Sequence, residues 1–108
     1  MAVDNRHMLL EHNKLRELYV RSEVENWHDF TRDEQMMLLA YWSAETDRME
    51  LQFVLFKRNG TDLDNIVFYE RDLLLEPFIT GWNTWKSFYD PEFVVYLDGL
   101  IEKANQTQ

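Results

Sequence analysis

One segment in the N-terminal half of the chain constrains the fold more than any other. It opens with the tetrapeptide TRDE at 31–34, a capping box in which the Thr31 hydroxyl accepts from the amide of Glu34 and the Glu34 carboxylate accepts from the amide of Thr31. The residues that follow, 36–42, are apolar around most of a helical cylinder. Such a helix is contacted from several sides, so the sequence predicts a central helix whose partners are other segments of this chain or another subunit.

Helical patterns also lie at the two ends of the chain. Residues 4–21 place apolar side chains at helical spacing on a stretch without glycine or proline. Near the other end, Asp90 is an N-cap and Pro91 takes the first helical position, where its missing N–H costs no hydrogen bond. Gly99 weakens this last helix by about 1 kcal/mol relative to alanine, which indicates the close approach of another backbone. We expect a frayed tail from about residue 105.

The stretch between these helices supports two interpretations. Apolar residues at 49, 51, 53 and 55 are interrupted by Glu50 and Gln52 as in a strand, although Val54 and Phe56 break the alternation. Asn59-Gly60 is a turn dipeptide typical of hairpins. Against a hairpin, Gly60 also suits the position after a helix C-terminus. Residues 62–75 carry apolar side chains at helical spacing and stop before Pro77, because the residue before a proline is pushed out of the helical conformation. We therefore favour helices at 49–58 and 62–75 over a hairpin near 49–69.

These patterns predict an all-α fold, a single-domain bundle of four to five short helices over residues 1–108. The length of 108 residues and the 45% hydrophobic content are enough for one core and too little for two cooperating domains. If residues 49–69 form a hairpin instead, the class becomes α+β. The predicted helices are 4–21, 31–47, 49–58, 62–75 and 91–104, with a short aromatic helix or turn at 80–89.

Charge and composition exclude several classes of function. The chain has 20 acidic against 11 basic residues and a net charge of −9, so nucleic-acid backbones and anionic lipid repel it, and we expect no direct nucleic-acid binding. It has no cysteine, which excludes a thiolate zinc site and a cysteine nucleophile. The chain contains no run of about 18 apolar residues, so the sequence predicts no membrane helix. Residues 1–7 lack the apolar core of a secretion signal, so we expect a cytoplasmic protein.

No motif predicts an enzyme or a cofactor. Three glycines leave no phosphate-cradling loop, and none of the three serines lies in a nucleophile elbow. Glu25 and His28 have the E-x-x-H spacing of di-iron bundles, but three histidines among twenty acids produce such spacing by chance. We therefore assign no catalytic, cofactor-binding or metal-ligating residue, and expect no enzymatic activity.

Aromatic density in the C-terminal third is the most informative functional signal. Residues 78–96 contain seven aromatic side chains, and Trp82, Trp85 and Tyr89 are one turn apart if this segment is helical, whereas Phe88 lies off that stripe. Tryptophan and tyrosine dominate interface hot spots because they bury a large rigid area and keep a polar group. The other interpretation is that these side chains form the core. We expect some of the three to contact a partner or a second subunit.

Small size, negative charge and surplus aromatics together predict a protein that binds another protein. We expect it to regulate or inhibit a larger, basic partner, such as a nucleic-acid enzyme or a DNA-binding protein, as immunity proteins, antitoxins and phage anti-host proteins do. One alternative is a homo-oligomeric helical scaffold, for instance a homodimer that buries the aromatic face, and another is a metal-binding bundle. The predicted contact residues, aromatics for affinity and acids for steering, are Trp82, Trp85, Tyr89, Glu23, Glu25, Asp29, Asp33 and Glu34.

Overall fold

The computed structural model describes residues 13–107, and every regular element in this part of the chain is helical. The predicted all-α class is thereby confirmed. Residues 4–12 of the first predicted helix lie outside the described range. Between residues 13 and 107, no helix is both long enough and apolar enough to cross a membrane. The helices are α1 (13–22), α2 (Arg32–Asn59), α3 (Glu76–Trp85) and α4 (Pro91–Gln106), with 3-10 turns at Trp27–Asp29, Leu63–Asn65, Glu70–Leu74 and Lys86–Phe88.

The second helix, α2, is one 28-residue element where the sequence predicts two. Its capping box is present, since the Glu34 amide donates to Thr31 Oγ1 at 3.2 Å and the Thr31 amide donates to Glu34 Oε1 at 2.9 Å. No glycine or proline interrupts it before Gly60, which adopts a left-handed φ of 70° and ends the helix. The hairpin interpretation is therefore wrong, because Asn59-Gly60 serves as a helix C-terminus and not as a turn between strands.

The segment from 61 to 75 is not the helix that the sequence predicts. It forms the two 3-10 turns Leu63–Asn65 and Glu70–Leu74, with residues between them outside any helix. Its apolar residues still reach the core, because Ile66 and Leu73 are buried. A helix this short is marginal without packing, so the burial of these two side chains outweighs the helical periodicity between them.

The third helix, α3, begins where the sequence predicts a helix to end. Leu75 is its N-cap in an extended conformation, Glu76 is the first helical residue and Pro77 the second. A proline in the first turn removes no intrahelical hydrogen bond, because the first amides of a helix have no partner in it. Pro77 therefore opens α3, which starts four residues before the aromatic element predicted at 80–89 and ends at Trp85.

The last helix, α4, confirms its predicted start. The Asp90 carboxylate accepts from the amides of Glu92 and Phe93, and Pro91 occupies the first turn. The helix continues to Gln106, two residues past its predicted end and into the stretch for which fraying is predicted. The predicted close approach at Gly99 is wrong, because a β-carbon built there would meet no atom within 4 Å.

Two core clusters lie along α2. The smaller one packs Leu38 of α2 against α1 and the turn that follows it, through Leu18, Trp27 and Phe30. The larger one lies between α2, α3, α4 and the 61–75 segment. The apolar run that opens α2 therefore belongs to a central helix, as the sequence predicts. The buried members of the larger cluster are Trp42, Met49, Phe53, Ile66, Leu73, Phe78, Trp82, Phe93, Leu97 and Ala104.

Candidate protein-binding site

Trp82, the first of the three predicted contact aromatics, is a core residue. Its side chain is 1% exposed, and its ring packs against Tyr89 and Phe93 at centroid distances of 5.6 and 5.9 Å. Its indole N–H donates to Asp98 Oδ1 on α4 at 2.7 Å. In this fold Trp82 offers no surface to a partner, because the aromatic stripe of α3 faces inward at this position.

The other two predicted aromatics are half-buried. The ring of Trp85 lies against Gly81 of its own helix. Tyr89 follows the 3-10 turn after α3, and its hydroxyl donates to Asp47 Oδ1 on α2 at 2.5 Å. Burial and this hydrogen bond to a carboxylate raise the pKa of Tyr89 above its ordinary value, since both disfavour the phenolate. Tyr89 therefore anchors the chain between α3 and α4 to α2.

Glu34, one of the predicted steering acids, has hydrogen-bond and ion-pair partners within the fold. Besides closing the capping box, its carboxylate accepts from Arg21 at 2.8 Å and from Lys14 at 3.4 Å. The backbone hydrogen bond from Thr31, and then the Arg21 guanidinium, lower the pKa of Glu34 to about 2. This carboxylate joins the start of α2 to α1.

The remaining predicted acids are exposed but do not form one negative surface. Glu25 is paired with Arg21 at 2.7 Å, and Glu23 lies 3.9 Å from Arg71. Asp29 and Asp33 lie on the neighbouring 3-10 turn and in the first turn of α2. Asp33 is 14 residues from Asp47 in α2, which corresponds to about 21 Å. The structure thus does not bring these acids together with Tyr89.

A different aromatic residue is presented to solvent in the same region. Phe88 is 87% exposed and is the most exposed large apolar side chain of residues 13–107. It lies in residues 86–90, which we call the Phe88 loop. Two hydrogen bonds to carboxylates of α2 hold this loop: the one from Tyr89 to Asp47, and one from the Asp90 amide to Glu50 Oε2 at 2.8 Å. The loop therefore presents Phe88 from an ordered backbone.

Three carboxylates lie at the C-terminal end of the Phe88 loop. Two of them, Asp47 and Glu50, accept the hydrogen bonds that hold the loop, and the third, Asp90, caps α4. None of the three has an ion-pair partner among residues 13–107. Lys86, the cation of the loop, lies 3.5 Å from Asp98. The site thus combines one exposed aromatic ring with three carboxylates next to it in the same loop region. Helical spacing already placed Phe88 off the aromatic stripe, and that is the sequence signal for its exposure.

A cleft of about 520 Å³ lies elsewhere, between α1, α2 and residues 68–73. Several of its polar and charged groups have partners within the chain: Tyr19 donates to Asp72 at 2.5 Å, Arg71 lies near Glu23, and Arg48 pairs with Glu45. Burial, and then the bond to Asp72, raise the pKa of Tyr19 to about 12. These contacts join α1 to the segment after α2.

Metal-binding geometry is absent from the described residues. No group of three or more histidine, aspartate or glutamate side chains between residues 13 and 107 is placed to hold an ion. His28 is exposed, and Glu25, the acid at E-x-x-H spacing from it, is bonded to Arg21.

Comparison of the chain with protein-family models, with curated proteins and with solved structures finds no match.

Proposed function

We propose that this protein binds a larger, basic protein through the Phe88 loop, and that it regulates or inhibits that protein by covering part of its surface. The observation that carries the proposal is the presentation of Phe88, whose ring is 87% exposed on a loop held by two hydrogen bonds. Burial of a phenylalanine side chain is worth about 1.5–3 kcal/mol, which favours its insertion into an apolar pocket of a partner.

The two bonds that hold the loop also support affinity. Association costs about 0.5–1.5 kcal/mol for each flexible side chain that must be ordered, and ordering a loop adds to this cost. The Tyr89–Asp47 and Asp90–Glu50 contacts fix residues on the C-terminal side of Phe88 before a partner arrives. Less of the binding free energy is then lost to ordering.

The charge of the site supports a basic partner. Carboxylates without an ion-pair partner in the described chain lie at the C-terminal end of the loop, and the whole chain carries a net charge of −9. Such a surface raises the association rate with a positive protein and lowers it with nucleic acid or another acidic protein.

The proposal is tested with tagged protein in lysate of its native source, comparing wild type with Phe88→Ala. Val24→Ala is the matched control, because Val24 is 82% exposed and follows α1, far from the loop in sequence. We expect a basic protein to be retained by wild type and by Val24→Ala and to be lost from Phe88→Ala. Its association rate should fall steeply with added salt. Equal retention by all three proteins, or association that does not respond to salt, would contradict the proposal.

A further inference from the structure

One face of α2 packs into neither core, and among residues 13–107 its one side-chain hydrogen bond is the one that Asp47 accepts from Tyr89. The face lies opposite the side that packs into the two cores, and all of its members are exposed. Five of its eight members are methionine, alanine or leucine, which is unusual for the solvent side of a helix. In chain order the members are Asp33, Met36, Ala40, Ala44, Asp47, Leu51, Leu55 and Arg58.

The order of these residues is self-complementary. The intervals between successive members read 3, 4, 4, 3, 4, 4 and 3, the same in both directions about a centre between Glu45 and Thr46. If two copies of the face meet antiparallel at that centre, each large apolar side chain of one copy faces a large or a small side chain of the other. The negatively charged end of one face then meets the positively charged end of the other. The resulting pairs are Asp33 with Arg58, Met36 with Leu55, Ala40 with Leu51 and Ala44 with Asp47, each formed twice.

We propose that the protein forms a two-fold symmetric dimer in which α2 packs antiparallel against α2 of a second copy. An isologous interface requires a surface that complements itself, and this face does so in the sizes of its apolar side chains and in the opposite charges of its two ends. At each end the Asp33 carboxylate meets the Arg58 guanidinium of the other copy, and the two helix dipoles oppose each other favourably. Ala40 and Ala44 let the helices approach closely near the centre.

The length of the face is sufficient for a stable helix pair. From Asp33 to Arg58 it extends about 37 Å, or between three and four heptads, the length over which a two-helix seam is normally sustained. Arg48 borders the face beside Asp47, but its guanidinium pairs with Glu45 at 2.9 Å, and the Asp47 carboxylate accepts from Tyr89 of its own chain. The dimer does not need the proposed Phe88 contact, since Phe88 itself is not part of this face. The two sites share Asp47, whose carboxylate holds Tyr89.

The oligomeric state of the full chain tests the dimer. Light scattering and sedimentation equilibrium should give twice the 13.2 kDa chain mass at micromolar concentration. Leu51→Asp should give the monomer mass with unchanged far-ultraviolet circular dichroism, because it places two carboxylates in the seam and alters no core residue. Val95→Asp is the matched control, since Val95 is equally helical, 74% exposed and on α4, and it should remain dimeric. A monomeric wild type, or a dimeric Leu51→Asp, overturns the proposal.

Cysteine cross-linking tests the antiparallel arrangement. Because the chain has no native cysteine, a disulfide can form only between the introduced residues. Ala40→Cys mixed with Leu51→Cys should form a mixed disulfide dimer under mild oxidation, because the two positions face each other. Neither variant alone should cross-link, since in an antiparallel pair each position lies about 16 Å along the axis from its own copy. Efficient cross-linking of either variant with itself, without the mixed product, overturns the arrangement.

Discussion

The ring of Trp85 lies so close to Gly81 that a β-carbon built on the glycine would overlap the ring atom Cη2. The two residues are one turn apart in α3, and the absence of a side chain on Gly81 is what lets the indole pack against its own helix. Gly99 in α4 is the opposite case, because open space surrounds its α-carbon.

Alanine substitution should therefore change stability in opposite directions at these two glycines. Gly81→Ala should lower the free energy of unfolding by about 1–3 kcal/mol, because the indole must leave its position. Gly99→Ala should raise it by about 0.5–1 kcal/mol, because alanine restricts the unfolded chain and clashes with nothing. Urea unfolding followed by circular dichroism measures both. The same sign for both variants would contradict the packing described for Trp85.

Trp82 and Phe88 should respond differently to truncation. Trp82→Ala removes a buried ring and the donor to Asp98, so the free energy of unfolding should fall by about 3–5 kcal/mol. Phe88→Ala should change it by no more than about 0.5 kcal/mol, because the ring is almost fully in solvent. Thermal unfolding distinguishes them. A binding defect in Trp82→Ala would therefore report lost structure, and one in Phe88→Ala would report a lost contact.

The stability of the protein in acid should depend on Glu34. Its pKa is about 2 in the folded protein against an ordinary value of 4.5, so its carboxylate stabilises the fold fully above pH 4.5. That contribution is lost as the pH falls from 4.5 toward 2. Glu34→Gln keeps an acceptor for the capping box but cannot titrate, so its unfolding free energy should fall less steeply over this range. Glu102→Gln, a change at an exposed site on α4, is the control and should follow wild type.

Stability in alkali should depend on Tyr19. Its folded pKa of about 12 lies above the ordinary 10, so its contribution is complete below pH 10 and is lost as the pH rises toward 12. Tyr19→Phe should lower the free energy of unfolding at neutral pH by about 1.5–3 kcal/mol, because it leaves the half-buried Asp72 without its donor. It should also remove the tyrosine that titrates near pH 12 in ultraviolet absorbance. Tyr69→Phe, at an exposed site, should do neither.

The sequence predicts best those features that depend on a few neighbouring residues. The Thr31–Glu34 capping box and the Asp90 cap are where the sequence places them, because each is closed by side chains within one turn. The segment 62–75 shows the limit of such signals. Its periodicity is helical, yet Ile66 and Leu73 reach the core from 3-10 turns, since packing against other helices decides the conformation of a short segment.

The candidate site shows a second limit. Helical spacing correctly separates Trp82 from Phe88, but spacing alone does not say which of the two sides faces the core. Packing against α2 and α4 decides this, because it buries Trp82 and leaves Phe88 exposed. The carboxylates beside Phe88 come from α2, about forty residues earlier in the chain, so no local motif joins them to the loop.

Leu38 and Trp42 are one turn apart in α2, yet they belong to different cores. If either core is lost, α2 loses packing on that side, and the other core also depends on α2. The cooperativity of unfolding therefore depends on the continuity of one backbone between these two residues. A helix break there would turn a single folding transition into two.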